Sequence, residues 1–367
     1  MINFLKILRK DDLSTIATID YFVSCIWTTQ YYGAGEFELV VSYSQENMAA
    51  LAAGNYVVKN NTNEIAVIER VRYEFKPEEG GTITASGRMA ISLLDRRLIG
   101  YVISNNHPVT YQYCAQGGNM EDYARQTVKH MAIEPYGGNN AKIIPNLELG
   151  TDHGFTYTAS RRISTYQNCL QTLTAFLATK SLAHRIVFNS DTNKLNYELF
   201  KGTDRSGSLV FSRELQNLLS FAYEQDQTDW KNAIYIGGDG EGSSRYVATI
   251  GVNGYPSGGG LERREMFYDA SSGKEDGTTV ADYIKLIKNE AKQECKEFAI
   301  VKNVEAEIDL VNSGLEFGVD YNVGDIILVS DILNFKPRIT TVIESQSAGS
   351  YSVDVEFNED PPEEEDD

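Results

Sequence analysis

Apolar and polar positions alternate near the start of the chain and predict β-strands there. Phe37, Leu39 and Val41 alternate with Glu36 and Glu38, which is the period of a half-buried strand. A Pro/Glu/Gly cluster separates the apolar stretch Ile65–Phe75 from Thr82–Ser86, and this order is typical of a hairpin. After Gly87 the spacing becomes helical for one short segment. A small barrel-like unit is therefore expected over residues 1–105.

In the middle of the chain, apolar residues recur every three or four positions and predict two helices. These are Met120–Ala132 and Thr165–Thr179. Two apolar runs, Ala183–Phe188 and Lys194–Phe200, flank a polar Asn/Ser/Asp/Thr cluster, which predicts a hairpin. Residues 106–205 are expected to form an α+β domain.

Strand patterns return after residue 205, and one helix interrupts them. The helix is predicted over residues 280–297 from apolar residues spaced by three and four. Residues 206–355 are interpreted as a second barrel-like domain with this helical insertion. Residues 356–367 combine two prolines with a run of acidic side chains, which predicts a disordered tail. The expected strands are Ser208–Phe211, Asn217–Gln225, Ala233–Gly237, Tyr246–Val252, Ala299–Val311, Ile326–Val329 and Ile339–Ser345.

Two distant segments share a pattern that suggests an internal repeat. Leu51–Val58 and Tyr321–Val329 both place a glycine and a polar residue just before an apolar strand. They are interpreted as equivalent corners of two related barrels, although the similarity is faint and the sequence alone leaves it open. The predicted fold class is α+β and β-rich, with two barrel-like domains and α+β material between or around them.

A glycine-rich connection follows the strand at Ile234. A P-loop needs Gly-x-x-x-x-Gly-Lys-[Ser/Thr], and a dinucleotide site needs Gly-x-Gly-x-x-Gly opening a helix. Neither spacing is present, and a strand follows, so a tight structural turn is predicted. Its residues of interest are Gly237, Gly238, Gly240, Glu241, Gly242 and Arg245.

Charged side chains surround Phe267 on the next predicted strand. They include Arg264, Glu265 and Asp269, and Arg245 and Glu241 are placed to join them in ion pairs. A solvated strand face and an assembly contact are the two interpretations. The sequence does not decide between them.

Composition narrows the class of protein. The 367 residues exceed what one hydrophobic core usually serves, so two or three domains are expected. The net charge of −19 opposes specific nucleic-acid binding, which depends on neutralising phosphates. No apolar stretch approaches the roughly 20 residues that a membrane helix needs. The four cysteines are irregularly spaced, so reduced thiols are expected.

No set of residues has the spacing of a catalytic, cofactor or metal site. The four histidines are far apart in sequence. His153 beside Asp152 is the best metal candidate, although a loop hydrogen bond explains it as well. Cys169 and Cys295 fall on apolar helical faces, which favours buried, inert thiols. A glycosidase needs only two carboxylates, so sequence does not exclude one. We predict no enzyme activity, no cofactor and no metal.

The glycine turn and an earlier series of motifs together resemble the hub proteins of phage tails. In many siphophages these hubs form the N-terminal part of the tail-associated lysin. The likeness is spread over most of residues 1–330. Besides the turn and Arg263-x-Glu-x-Phe-x-Asp269, it rests on Gly35-Glu36-Phe37-Glu38, Leu51–Val58, Ile68-Glu69, Ser86-Gly87-Arg88 and Leu93–Arg97.

The resemblance implies a structural role in a virion tail tip or baseplate, or in a phage-tail-like particle. Such hubs are homotrimers whose six barrels form a pseudo-sixfold ring between the hexameric tail tube and a threefold spike or tip. The implied partners are the tail tube protein, the spike or tip protein, the tape-measure protein and other baseplate proteins. Assembly in the host cytoplasm is expected, with DNA passing an acidic channel without specific binding. The assembly or fold motif implied is Gly35, Glu36, Phe37, Glu38, Gly237, Gly238, Gly240, Glu241, Gly242, Arg245, Arg264 and Asp269.

Two other functions stay open at this stage. One is a cell-wall hydrolase with an unrecognised carboxylate pair. The other is a carbohydrate-binding or receptor-binding tail protein, suggested by 22 tyrosines and the glycine-rich loops. No hydrolase domain follows the hub-like region, so any cell-wall cutting is expected in another protein of the particle.

Overall fold

The computed structural model describes most of the chain. The described residues are 1–59, 62–78, 80–102, 110–111, 113–115, 118–135, 140–159, 162–164, 166–251, 259–270, 273–307, 315–330, 334–347 and 349–358.

The chain divides into two compact units. The first comprises Met1–Phe221 and Glu305–Asp367, and the second comprises Ala222–Val304. The division into four segments that was expected from the sequence stays a prediction.

Strands make up most of the regular structure. The first group is β1 Leu5–Leu8, β2 Thr15–Ile19, β3 Ser24–Gln30, β4 Glu36–Ser42, β5 Tyr56–Lys59, β6 Ile65–Lys76 and β7 Gly80–Met89. The middle group is β8 Tyr101–Val102, β9 Thr110–Tyr111, β10 Tyr113–Ala115, β11 Gly118–Asn119, β12 Leu147–Leu149, β13 Thr158–Ala159, β14 Arg162–Ser164, β15 Ala183–Asn189 and β16 Lys194–Phe200. The last group is β17 Val210–Phe211, β18 Ser220–Asp226, β19 Ala233–Gly237, β20 Val247–Gly251, β21 Glu265–Asp269, β22 Val301–Glu307, β23 Leu328–Ser330, β24 Asn334–Phe335, β25 Arg338–Ser347 and β26 Ser350–Asn358.

The helices are few and short. They are α1 Gln45–Ala50, α2 Met120–Val128, α3 Cys169–Ala178 and α4 Val280–Glu294. A π-helical turn, Lys129–Ile133, extends α2. Segments of 3-10 helix are Ala90–Arg96, Asn140–Lys142, Gly242–Ser244, Gly260–Glu262 and Cys295–Phe298.

Several predicted element bounds differ from the observed ones, and two of the differences have a clear local reason. The second helix begins at Cys169 instead of Thr165, because the Asn168 side chain accepts the Gln171 N–H and caps the helix. The acidic tail was predicted to begin at residue 356, but β26 continues to Asn358. Phe357 is buried and pairs with Ile339, which holds this end in the sheet. The rest of the predicted tail lies outside the described residues.

Nine strands of one sheet dominate the first unit. Their order is β26, β25, β3, β4, β7, β6, β5, β1, β2. Adjacent strands are antiparallel, with bulges in β1, β6 and β25. The predicted alternation and the β6–β7 hairpin are confirmed. Among the described residues no sheet closes on itself, and β2 forms an open edge, so the predicted barrels are not confirmed.

The predicted middle α+β region shares a core with the first strands. Helices α2 and α3 and the β15–β16 hairpin bury apolar side chains against those of β1, β5 and β6. Leu173 and Tyr197 lie in this cluster with Val58 and Val67. A second cluster, which includes Trp27 and Phe37, lies among β1, β3, β4, β5, β6 and β7. The polar outer positions of β4 stay exposed.

The second unit contains a small sheet with a helix on one face. Strand β19 is central, antiparallel to β20 and parallel to β21. Ile234 and Ile236 of β19 pack against Tyr283, Ile287 and Ala291 of α4. The predicted helix and strands of this region are confirmed in position.

Candidate assembly surfaces

The two segments that share a glycine-plus-polar pattern have the same backbone geometry. Gly54 and Gly324 have φ values of +93° and +95°, in the region that favours glycine. The Gly54 N–H donates to the Ile68 carbonyl at 2.7 Å. The Gly324 N–H donates to the Ile339 carbonyl at the same distance of 2.7 Å. The two turns are therefore built in the same way.

The polar residue after each glycine also accepts the same kinds of hydrogen bond in both turns. The carbonyls of Asn55 and Asp325 accept the N–H groups of those two isoleucines, at 2.8 Å and 2.9 Å. Asn55 Oδ1 accepts the backbone N–H of Lys10 at 3.2 Å. Asp325 Oδ1 accepts the backbone N–H of Thr203 at 2.8 Å. We call Gly54–Asn55 the first corner and Gly324–Asp325 the second corner.

Strand pairing extends the correspondence beyond the corners. Two residues after the first glycine, Tyr56 pairs with Val67. Two residues after the second glycine, Ile326 forms a bridge to Arg338. Both pairings are antiparallel. The faint sequence repeat thus corresponds to two structurally equivalent corners within the first unit.

In the large sheet, β25 from the C-terminal part of the chain pairs with β3 from the N-terminal part. We call this pairing the junction of the two halves. The two strands pair from Thr341 opposite Gln30 to Ser347 opposite Ser24. A buried ionic cluster lies at this junction. Lys59 Nζ is 2.7 Å from Glu64 Oε2 and also bonds Glu344.

Other side chains complete the cluster and satisfy its carboxylates. Trp27 Nε1 and Thr29 Oγ1 each donate to Glu64 at 3.1 Å. The Tyr351 hydroxyl donates to Glu344 at 2.8 Å. The Lys59 ammonium also lies 5.5 Å from the centre of the Trp27 ring. A buried charge needs such partners, because burial otherwise disfavours it strongly.

Lys59 and Glu64 are charged over a wide pH range. Burial would lower the pKa of Lys59, but the two carboxylates raise it above 10.5. Burial would raise the pKa of Glu64, but Lys59 and Thr29 lower it below 4.5. The Glu64 contribution to stability is therefore present above pH 4.5 and is lost as the pH falls further. The Lys59 contribution is lost only as the pH rises past 10.5.

The predicted motif at Gly35–Glu38 begins β4, next to this junction. A Cβ on Gly35 would lie 2.0 Å from the Thr28 carbonyl oxygen, so only glycine fits. Phe37 is buried and its ring lies 5.8 Å from that of Trp27. Glu36 and Glu38 point to the exposed face. The motif therefore combines a close backbone approach, a core anchor and two surface carboxylates.

One ion-pair network contains residues from three of the other motifs that carry the resemblance. These motifs are Ile68-Glu69, Ser86-Gly87-Arg88 and Leu93–Arg97. Arg88 Nε is 2.9 Å from Glu69 Oε2, and Arg88 Nη1 is 3.0 Å from Asp95 Oδ2. Arg96 Nη2 also binds Glu69, at 2.9 Å. The Arg88 guanidinium holds the pKa of Glu69 below its usual value. Glu69 and Arg96 are 27 positions apart in the sequence. The strands β6 and β7 and the adjoining 3-10 turn bring them together.

The glycine turn connects β19 to β20 in the second unit. Gly240 and Gly242 have φ values of +94° and +53°. A Cβ on Gly238 would lie 2.9 Å from the Tyr283 hydroxyl oxygen on α4. The Asp239 N–H donates to that hydroxyl at 2.7 Å. The turn is therefore fitted to the helix, as a structural glycine turn requires.

The charged residues of the predicted motif separate into two groups. Arg245 Nε donates to the Gly238 carbonyl at 3.0 Å, and its guanidinium pairs with Asp269. A Cβ on Gly237 would lie 2.6 Å from Arg245 Cζ, so the glycine makes room for this side chain. Glu241 is exposed. The predicted ion pairing of Arg245 is confirmed.

Arg264 makes contacts that differ from those of Arg245. Its backbone N–H donates to Asn232 Oδ1 at 2.8 Å, and its guanidinium group donates to the Gln227 carbonyl. The guanidinium carbon lies 5.4 Å from the centre of the Trp230 ring. Arg264 thus fixes the segment that leads into β19. Whether any motif residue contacts a partner stays a prediction.

The histidine and cysteine candidates have structural surroundings. The backbone N–H of His153 donates to the buried carboxylate of Glu121 at 2.8 Å, which is a loop hydrogen bond that does not use the imidazole. Cys169 and Cys295 are buried, and burial raises the pKa of each thiol. Across the described ranges, no three His, Cys, Asp or Glu side chains lie close enough to hold a metal ion.

His184 is buried in the first unit. It lines a cavity of about 360 Å³, and its ring nitrogens lie 2.9 Å from Thr174 Oγ1 and 3.1 Å from the Tyr197 hydroxyl oxygen. Burial lowers the pKa of His184 from 6.5 to about 3. The ring is therefore neutral in the folded protein at ordinary pH.

This neutral ring predicts a loss of stability in mild acid. Below pH 6.5 the unfolded chain binds a proton at residue 184 and the folded chain does not. The free energy of unfolding should fall by about 1.4 kcal/mol per pH unit from this residue. Denaturant unfolding at pH 6.5 and 5.0 should therefore differ by about 2 kcal/mol from His184. In His184→Gln this part of the slope should disappear.

His153→Gln is the matched control, because residue 153 lies on an exposed loop. It should keep the wild-type slope. An unchanged slope in His184→Gln would contradict the predicted role of the buried ring.

Within the described part of the chain, no helix has the length and apolar character needed to cross a membrane. No curated protein sequence matches this one. The family described as Siphovirus ReqiPepy6 Gp37-like protein matches residues 5–357. The chain belongs to this family. The match covers nearly the whole sequence and both compact units.

Solved structures of prophage tail proteins share the fold of this family member. The 43 kDa tail protein of prophage MuSo2 from Shewanella oneidensis is 14% identical, with a TM-score of 0.59. The alignment covers 97% of this chain and 98% of that one. The tail protein from Neisseria meningitidis MC58 is 13% identical, with a TM-score of 0.56 and coverage of 97% and 96%. The predicted resemblance to phage tail hub proteins is confirmed at the level of family and fold.

Proposed function

We propose that this protein is the hub of a phage tail tip or baseplate, acting as a homotrimeric symmetry adaptor. The observation that supports this most is the pair of equivalent corners in the first unit. A chain that contains two related segments can occupy two neighbouring positions of a ring. Three chains then supply six similar positions, which suits a hexameric tail tube on one side and a threefold spike or tip on the other.

In this proposal the ring closes between copies of the chain. The open edge at β2 is consistent with this, because Thr15–Ile19 contains no charged residue to discourage strand pairing. Barrel-like closure would thus be a property of the assembly. The tape-measure protein and other baseplate proteins are proposed as further partners, with the tail of the virion as the location.

The exposed face of the large sheet is proposed to line the central passage. Glu36 and Glu38 lie on this face, and the register places Ser86 and Ile26 beside Glu38. The same register places Arg88 beside Glu36 and Arg70 beside Ser86, and Arg88 is held by Glu69 and Asp95. The net charge of −19 would then oppose lasting contacts with the phosphates of passing DNA. The role is structural, and it requires no catalytic group.

The test is the mass and projected shape of the purified chain. Light scattering and negative-stain microscopy would be run at several concentrations, alone and with the tail tube protein. A ring with threefold symmetry and a central hole is the expected result. A compact monomer that ignores the tube protein would contradict the proposal, and activity on cell-wall material would then be measured.

A further inference from the structure

The sheet of the second unit has one packed face and one exposed face. Helix α4 covers the side that carries Ile234 and Ile236. Side chains on the other side alternate with these, as in any half-buried sheet. Among the described residues, the large apolar side chains on this second side remain exposed. Such a face on a small unit calls for a physical explanation.

Three large side chains form the apolar part of that exposed side. Tyr235, Val247 and Phe267 are 38%, 61% and 59% exposed. The register places Phe267 directly beside Tyr235 on the neighbouring strand. Val247 lies beside Gly237, two pairs further along and therefore on the same face. We call these three residues, with Arg245 and Arg263, the aromatic face.

The two arginines lie over the aromatic rings. The guanidinium carbon of Arg245 is 5.5 Å from the centre of the Phe267 ring. That of Arg263 is 5.8 Å from the centre of the Tyr235 ring, and its Nη2 donates to the Tyr235 hydroxyl at 3.0 Å. Each arginine is also held by a carboxylate, Arg245 by Asp269 and Arg263 by Glu265.

These contacts fix the surface before any partner arrives. Side chains that are already ordered lose less freedom on binding, which favours affinity. Tyrosine and arginine are also the residue types that contribute most at protein interfaces. The composition and the order of the face are therefore those of a protein contact.

Charge decides which kind of partner fits. The two arginines and their two carboxylates give the aromatic face no net charge. With both guanidinium groups paired, the face offers little to nucleic-acid phosphates. The whole chain carries −19, so two copies repel each other over most of their surfaces. A neutral face with exposed arginine edges is where an acidic copy can approach at least cost.

We propose that the aromatic face is a subunit contact that binds a different surface of a second copy of this chain. The inference rests on the proposed trimer, because a closed threefold ring uses two unlike patches on every subunit. The face supplies one patch of each pair. Tyr235, Val247 and Phe267 are its binding residues, and the arginine pairs keep them in position.

The test compares two variants with the same kind of change. In the first, Val247→Ser is combined with Phe267→Ser on the aromatic face. In the control, Phe75→Ser alters a side chain that is 62% exposed on the β6–β7 hairpin of the other unit. Light scattering over a concentration series gives the trimer dissociation constant. We expect the double variant to weaken the trimer at least tenfold, and the control to change it less than about threefold.

Thermal unfolding shows whether each variant is folded. If the double variant unfolds early, a photo-cross-linking residue placed at position 267 replaces it as the test. Cross-links from position 267 to a second copy are expected. Cross-links only to the tube protein, or none in an intact trimer, would overturn the inference and leave the hub proposal standing. A wild-type chain that stays monomeric with and without the tube protein would overturn both.

Discussion

Replacing Lys59 with methionine is expected to lower the free energy of unfolding by about 3–5 kcal/mol. The substitution leaves the carboxylates of Glu64 and Glu344 close together, without the ammonium group that both of them bind. Glu344 is buried, so its charge would face a second carboxylate without solvent to screen it. Denaturant unfolding at pH 7 measures the loss.

Lys6→Met is the matched control for this prediction. Lys6 is exposed on β1, where it pairs with Val58 of the strand that carries Lys59. Its substitution should change the free energy of unfolding by less than about 0.5 kcal/mol. Equal losses in the two variants would show that Lys59 in the cluster at the β3–β25 junction contributes no more to the free energy of unfolding than the exposed Lys6.

The acid dependence of the Lys59→Met variant sharpens the test. Without Lys59, burial raises the pKa of Glu64, so lowering the pH protonates this carboxylate and removes the repulsion. The variant should therefore lose less of its stability than the wild type as the pH falls from 7 towards 4. This difference distinguishes an electrostatic effect from a loss of side-chain packing.

Gly35→Ala is expected to lower the free energy of unfolding by about 3 kcal/mol. The new Cβ would lie 2.0 Å from the Thr28 carbonyl oxygen and 3.2 Å from the Gln30 nitrogen. These are backbone atoms of β3, so relief requires β3 and β4 to separate. Because β3 also pairs with β25, the displacement would reach the junction of the two halves. Thermal and denaturant unfolding measure the effect.

Gly33→Ala is a close control in the same connection. There the new Cβ would meet Gln30 Oε1 at 2.6 Å, which is the end of a flexible side chain. A rotamer change relieves this contact, so the loss should stay below about 1 kcal/mol. If Gly33→Ala cost as much as Gly35→Ala, the close approach at Gly35 would not be the cause.

Local pattern was enough to predict most strands and helices. The alternation at Phe37 and Leu39, and the helical spacing from Val280 onward, report directly which face is buried. The glycine turn was predicted as structural because its spacing failed the phosphate motifs. The shared pattern of the two corners was visible because each corner needs a glycine with positive φ at one fixed position.

What joins these elements could not be predicted from the sequence. Lys59 and Glu344 are 285 positions apart, and neither belongs to a motif. The aromatic face was missed for a related reason. Tyr235 and Phe267 become neighbours only because β19 and β21 pair in parallel, and sequence periodicity does not specify strand partners.

Barrel closure is not confirmed in the single chain, and there is a physical reason why the sequence could not decide it. Alternation shows that one face of a strand is buried, but it does not show whether the sheet's edges meet. In the described residues β2 remains an edge. The same sequence pattern would result from an open sheet and from one closed by a neighbouring subunit.

The pairing of β25 with β3 has a consequence for synthesis on the ribosome. Roughly 310 residues separate the two strands, so at about 5–20 residues per second the edge of β3 waits about 15–60 s for its partner. During that time one edge of β3 stays unpaired. This edge is a site for mispairing with other nascent chains. Slow translation or a missing chaperone should therefore reduce the yield of native protein more than the modest size of the chain suggests.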